Sequence, residues 1–422
     1  MRRNLPVTIV LALLSAILLA AAQPDLKQQA KNEYERENYP EALALARQAT
    51  EANPKDAEAW YLLGRYTHFR CYDSRPPSGY SRATSDSILS YLERAVKLDP
   101  KMGDAFYFIG AEYGARLEEP LCRGDVEQAK AELRAARAKG AYPDWMLEYC
   151  RNVLRECEQD AILFLMGDLQ VNGVRYLQLV EGYRPDVTAV PYPLMDRPWV
   201  AQLFKEGIPG ALVPAPINWS REQIMDMHPY RWRTDTIRIP VKPEVLKDLG
   251  IPAQDSVFEW GVKPDLSAED RPMLSTITAL EIDIVETNQW RRPIYFALCP
   301  ASATAGIDSC LQSCGLVQRL LPVRAAKYGL ALDTMTIKRV LLDPGSYRDF
   351  AGVKKHDMPR VSPILNMYRA GLIELAALYA ESGDQAACSS VLDRMAALLP
   401  ERIFPMYPDH KAAIEQLRSG HR

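Results

Sequence analysis

The chain has 422 residues, 48% of them hydrophobic and 25% charged, with a formal charge of −3. That length supports two or three domains with separate cores, and the composition excludes a disordered or fibrous protein. The weak net charge offers no basic face for nucleic acid, and the five histidines, at positions 68, 228, 356, 410 and 421, form no H-x3-H pair. No metal and no cofactor is therefore expected.

In chain order, Arg2 and Arg3 precede an apolar run from Val7 to Ala22, which ends in three alanines before Gln23-Pro24. A basic start, a short apolar run and a small-residue end have the form of a secretory signal peptide. Cleavage is expected after Ala22, with residues 1–22 outside the fold and the mature chain exported to the periplasm or cell envelope. An uncleaved anchor is the competing reading, although the run is short for a span, and no later segment approaches the ~20 apolar residues that a crossing needs. Disulfides are allowed in such a compartment. Among eight cysteines, Cys71 with Cys122 and Cys310 with Cys314 are the candidate pairs. The absence of C-x2-C argues against a zinc ribbon or a thioredoxin-type motif. Cys150, Cys157 and Cys388 fit buried thiols at least as well.

Asn53-Pro54 and Asp99-Pro100 both close helical stretches. Ala49 and Ala42 stand at the same offsets before Pro54 as Ala95 and Ile88 before Pro100. Trp60, Leu63 and Gly64 lie on the next helix, and Phe106, Ile109, Gly110 and Tyr113 on a third. This spacing, with an insert near Pro76-Pro77, resembles tetratricopeptide repeats, in which small residues let paired helices approach. The resemblance runs from about Asp25 to Gly140 and implies a stacked helical surface for a protein or peptide partner, or a cap on the next domain. Trp60, Tyr66, Phe106 and Tyr113 are the candidate partner-binding residues.

A helix over residues 142–159 leads to the apolar run Ala161-Ile-Leu-Phe-Leu-Met166, a turn at Gly167-Asp168, a helical stretch from Val174 to Tyr183, and a second short run, Val187-Thr-Ala-Val190. Strand, helix, strand reads as a crossover in a parallel sheet. Ligands of such sheets sit beyond the carboxyl ends of the strands, which points to Asp168. Further on, the pattern predicts a helix at Trp199–Gly207, a short strand at Ala211–Val213, an irregular Pro-rich stretch from Pro214 to Pro252 holding an edge-like strand at Ile237–Ile239, and a helix from Leu274 to Trp290. Strands are predicted at Ile294–Leu298, Gly315–Pro322 and Thr336–Leu342. A helical hairpin turning at Gly383-Asp384 closes the chain before Pro400.

Gly167-Asp168, Tyr176-Leu-Gln178, Glu181-Gly182 and Arg184-Pro-Asp-Val187 together resemble the soluble region that follows the membrane part of bacterial protein-O-mannosyltransferase-like proteins. Asn288 with Arg292-Pro-Ile-Tyr-Phe-Ala297, Gly315-Leu-Val with Arg319 and Pro322, and Asn366 with Tyr368-Arg369 through Arg394 to Pro400 follow in the same order. The likeness covers roughly residues 160–408 and implies a fold and an envelope setting. The multi-span part in which sugar transfer is expected is not in this sequence. Leu169, Gln170 and Val171 also replace the polar Asn-Asp-Thr of that family.

The fold class is thus α+α/β: tetratricopeptide-type hairpins over 23–140, a mixed, mostly parallel α/β domain over 141–360, a helical hairpin over 361–408 and a tail over 409–422. Candidate ligand-binding residues are Asp168, Glu181, Arg184, Tyr295 and Arg319. Four of them have a plainer role: Asp168 as a cap or turn residue, Glu181 and Arg184 with Asp186 as a local ion pair, Tyr295 as core. Glu281, Asp283 and Glu286 read as a solvated helix face, or as a group collected on a cleft that Tyr295 and Arg319 also line, and Tyr230-Arg-Trp-Arg233 as a packed loop or a platform for sugar or peptide. No complete catalytic motif is present. The expectation is an exported scaffold or adaptor rather than an enzyme. The alternative is an accessory of glycan assembly that meets a glycan or lipid-linked sugar near Asp168.

Overall fold

Apolar residues at helical spacing build the first third of the chain, and short, largely apolar runs build the centre of the sheet that follows. The computed structural model describes residues 25–72, 81–252, 256–268, 270–298 and 305–419; the expected signal segment lies outside them. The described residues form two compact units, one ending at Glu112 and one beginning at Tyr113.

The first unit contains α1 (Leu26–Glu35), α2 (Tyr39–Ala52), α3 (Ala57–Tyr72), α4 (Arg82–Leu98) and most of α5 (Gly103–Arg116). The side chains of Asp25 and Ser81 accept first-turn N–H groups and start α1 and α4. Ala30, Ala42, Ala46, Leu62, Leu63 and Tyr66 form one buried cluster. A Cβ on Gly64 would stand 2.8 Å from the Leu92 side chain, so the missing side chain is what lets α3 and α4 approach. His68 Nδ1 meets Glu112 Oε2 at 2.7 Å inside this unit. The expected helical repeats are present.

The second unit continues through α6 (Glu118–Cys122), α7 (Val126–Ala138) and α8 (Asp144–Glu156) to β1 (Ile162–Leu165), α9 (Gly167–Leu179) and β2 (Thr188–Pro191). Then come α10 (Pro198–Glu206), α11 (Arg221–Met225), β3 (Tyr230–Arg231), β4 (Asp235–Pro240), α12 (Pro243–Asp248), β5 (Val257–Val262), β6 (Leu266–Ala268), β7 (Arg271–Leu274) and α13 (Thr276–Asn288). The remainder is β8 (Ile294–Ala297), β9 (Leu311–Ser313), β10 (Val317–Leu320), α14 (Thr334–Leu341), α15 (Met358–Glu381), α16 (Gln385–Leu398) and α17 (Pro408–Ser419).

The main sheet has the order β2-β1-β8-β10-β9. β1 pairs in parallel with β2 and with β8, and β10 runs antiparallel to β8 and β9. Every residue of β1, β2 and β8 is buried, as expected of strands covered on both faces. The predicted strand-helix-strand unit is therefore β1-α9-β2, with the helix starting earlier than its apolar spacing suggested. Gly167 adopts φ +74° and turns the chain from the strand straight into α9. A Cβ on Gly173 would collide with Cys150 Sγ, so α8 and α9 meet at that glycine. Glu156, at the end of α8, accepts the N–H groups of Leu316 and Val317 at 2.6 and 3.0 Å and ties the helix to β10.

Several expectations are corrected. Thr336–Leu342 is not a strand: Asp333 caps α14 through the Thr336 N–H, and Ile337, Val340 and Leu341 recur inward at helical spacing. Ala211–Val213 holds only the isolated bridge of Ile208 to Leu212. Residues 409–419 are helical in α17, held by Arg418 pairing with Asp393 at 2.7 Å. Cys310 and Cys314 are separate buried thiols. Extended β9 lies between them and carries their backbones ~13 Å apart, whereas a disulfide needs Cα atoms about 4.4–6.8 Å apart. Cys122 is a free thiol at the end of α6, not a half-cystine; the Cys71 side chain lies outside the described residues. The sequence reading missed β5 to β7, although Phe258, Trp260 and Val262 alternate inward along β5.

The C-terminal hairpin turns at Gly383, with φ +82°, and Asp384 caps α16. Arg369, fully buried on α15, donates to the carbonyls of Leu399, Phe404 and Pro405 at 3.0, 2.7 and 2.8 Å. Asn366 donates to the Pro405 carbonyl as well, and Asn152 on α8 donates to the Tyr368 hydroxyl at 2.9 Å. The Asn366, Tyr368 and Arg369 motif thus holds the chain end in place.

Candidate functional site

Parallel strands β1, β2 and β8 direct their carboxyl ends to one edge of the sheet. Asp168 stands there, in the first turn of α9, where a negative charge suits the helix dipole. At the end of β2, the Tyr192 ring packs edge-on to Phe164 of β1 at 5.9 Å, and its hydroxyl donates to Glu281 Oε2 at 2.8 Å. Glu281, on α13, is 1% exposed and its Oε1 is buried without a hydrogen-bond partner among the described residues. Burial pushes its carboxyl up to about 8; the Tyr192 hydrogen bond opposes this, and the charges of Asp265 and Asp308 add to it. Ser275 and Thr278 hydroxyls both donate to Asp265 Oδ2 at 2.6 Å, closing the start of α13. The result is a buried acid that keeps its proton at neutral pH. The helix carries three different carboxyl environments, not one solvated face: Glu281 is buried, Asp283 accepts the Asn218 N–H at 2.8 Å, and Glu286 is exposed. Burial raises the Asp283 carboxyl to about 6.

The other sequence-predicted ligand residues lie elsewhere. Glu181 pairs with Arg151 at 2.5 Å. Arg184 donates to the carbonyls of Leu154, Cys157 and Glu158 and grips both oxygens of Asp186, so its guanidinium is spent on joining the end of α8 to the start of β2. Tyr295 is 2% exposed, and its hydroxyl accepts the Glu158 N–H at 3.4 Å. Arg319 pairs with Glu158 at 2.6 Å. Tyr295 stands opposite Leu163 and Arg319 opposite Tyr295, but both side chains reach Glu158, which precedes β1 at the amino edge of the sheet, away from Asp168. A cavity of about 350 Å³ opens at this edge, lined by Glu158, Trp290, Arg292, Arg319 and residues of α12. Arg292 is committed to the carbonyls of Asp160, Ala161 and Pro214 and to Thr188 Oγ1. Asp168 and Tyr295–Arg319 therefore do not share one cleft.

In the repeats, Tyr66 is buried at 4% exposure, and Tyr113, in the second unit, at 6%; both are core. Trp60 is half-buried against Tyr91 and donates its indole N–H to the Pro54 carbonyl at 3.0 Å, and Phe106 is half-buried. The exposed rings are others: Tyr39 at 47% and Phe69 at 40%. Tyr34 links them, at 5.3 and 6.0 Å between ring centroids, and Phe69 continues to Phe108 at 5.5 Å. The Arg65 guanidinium lies 5.4 Å from the Tyr34 ring and 5.7 Å from those of Phe69 and Phe108. The sequence signal was available, since Arg65 and Phe69 are one helical turn apart on α3. Exposed aromatic rings beside arginine are the composition of binding hot spots.

Two family models match separate stretches of the chain. Residues 27–67 match the tetratricopeptide repeat family model, and residues 146–231 and 225–338 match the model described as TMEM260-associated domain 2. A mouse (Mus musculus) protein described as protein O-mannosyl-transferase TMEM260 is 40% identical over 67 residues, which span 16% of this chain and 10% of that protein. The chain is therefore similar to tetratricopeptide repeats near its start and to the TMEM260-associated domain 2 model through its middle, and it spans only a tenth of the length of that curated relative.

Proposed function

We propose that the chain is an exported scaffold or adaptor of the cell envelope that binds a protein or peptide partner through its repeats. The strip of Tyr39, Tyr34, Phe69 and Arg65 carries this reading, because solvent-exposed aromatic rings on a repeat surface bury readily against a partner. Support for export comes from the basic and apolar N-terminus up to Ala22. Affinity capture of the full chain from an envelope fraction tests the reading beside a Tyr39→Ala/Phe69→Ala variant. Both rings are exposed, so the variant is expected to fold. A defined partner that the variant loses is the expected result; the same partner on both proteins contradicts it.

The second reading is an accessory role in glycan assembly at the carboxyl edge of the sheet. It is favoured by the neutral acid Glu281 beside Tyr192 and by the partial likeness to a protein O-mannosyl-transferase. A co-purifying glycan or lipid-linked sugar, retained by the Tyr39→Ala/Phe69→Ala variant and lost in Glu281→Gln, would support that role.

A further inference from the structure

Arg65 is placed unusually for a surface cation. Its guanidinium lies against the rings of Tyr34, Phe69 and Phe108, and its hydrogen bond goes to the Tyr61 hydroxyl. Its Nε is buried without a partner, and among the described residues no carboxylate forms an ion pair with it. Neighbouring lysines are treated differently: Lys27 and Lys31 pair with Glu58 at 2.6 and 2.5 Å, and Lys27 also with Asp56 at 2.9 Å. The rings hold the Arg65 charge in place and partly desolvate it, which strengthens its attraction for an anion. A guanidinium presents several donors in a planar fork, and a carboxylate is the group that matches two of them at once.

We infer that the partner segment taken by this strip is acidic, a carboxylate meeting Arg65 while an adjoining apolar side chain covers Phe69 and Tyr39. The inference rests on the repeat-binding reading above and names the partner's chemistry. A side-chain carboxylate and a chain-terminal carboxylate offer Arg65 the same group. A side-chain acid reaches the strip from within a longer segment, whereas a terminal one requires the segment to end there.

The test uses the full mature chain and degenerate octapeptide pools, each with one fixed aromatic or leucine position, followed by fluorescence anisotropy. One pool carries internal glutamate with an amidated end, one carries glutamine with a free carboxyl end, one carries glutamine with an amidated end, and one carries lysine with an amidated end. The expected result is binding of one or both carboxylate pools at least about 10-fold tighter than the amidated glutamine pool, weakened by added salt. Which carboxylate pool binds identifies the source. Arg65→Met keeps the stem that packs on the rings and is expected to erase the preference, whereas Arg65→Lys is expected to keep part of it. Tyr39→Ala/Phe69→Ala is expected to lose binding to every pool, with circular dichroism confirming that each variant folds. Equal binding of carboxylate and amidated glutamine pools, or a preference that survives Arg65→Met, overturns the acidic partner while leaving a repeat-bound one. No binding to any pool, or binding untouched by Tyr39→Ala/Phe69→Ala, overturns both.

Discussion

Glu281 shows how one buried side chain imposes a pH dependence. Its carboxyl is raised to about 8 in the folded chain, against an ordinary value of 4.5. The folded protein therefore holds a proton that the unfolded chain releases between these two values. Stability from this group is complete below about pH 4.5 and is lost as pH rises to about 8. Glu281→Gln keeps an acceptor for the Tyr192 hydroxyl and removes the titration. Its stability relative to the native chain is expected to improve from pH 5 to pH 8.5 in urea unfolding; a constant difference across that range would contradict the assignment. Arg369 makes a different prediction. Replacing it with Met strips donors from the buried carbonyls of Leu399, Phe404 and Pro405, with an expected loss of at least ~3 kcal/mol from unpaired polar groups. A loss under ~1 kcal/mol in the same assay would show that water replaces the guanidinium there.

At the scale of elements, one glycine sets how closely neighbours meet. Gly315 combines φ +116° with a site where a Cβ would lie 2.8 Å from both Glu156 Oε1 and a Leu341 side-chain carbon, between β9 and β10. Gly315→Ala is expected to cost about 1–3 kcal/mol by thermal unfolding, from backbone strain together with the clash. Gly250→Ala, also at positive φ but with open space around it, isolates the strain alone and is expected to cost less. Much of this level was legible in the sequence. Four-residue apolar runs marked β1, β2 and β8, and the repeated offsets before Pro54 and Pro100 marked the hairpins. α14 was misread because Thr334, Thr336, Ile337 and Val340 have strand propensity; the Asp333 cap and tertiary packing overrode it. The site was less legible. Glu281 looked like one member of a surface carboxylate run, since a single sequence does not show which helix face meets Tyr192. Tyr295 and Arg319 follow Asp168 by more than a hundred residues, and only their contacts with Glu158 show that they reach the opposite edge. Tyr39 and Phe69 stand outside the repeat signature, whose positions mark residues packed inside the hairpins, so spacing alone does not single them out.

The whole molecule combines a repeat unit that carries an exposed aromatic strip with an α/β unit whose conspicuous polar groups are mostly turned to internal joints. No helix among the described residues is long and apolar enough to cross a membrane. Export with cleavage after Ala22 predicts a mature chain starting at Gln23, which intact-mass analysis of protein recovered from the envelope would read directly. An intact Arg2–Arg3 terminus on that protein would replace the cleaved leader with a retained anchor. Cross-linking the full chain to its captured partner, with the linked peptides mapped by mass spectrometry, shows whether binding resides in the repeats. Links concentrated on α1 to α4 around Tyr39 and Phe69 are the predicted result. Links confined to α9, α13 and the loop after β2 would contradict it and move the binding site to the carboxyl edge of the sheet.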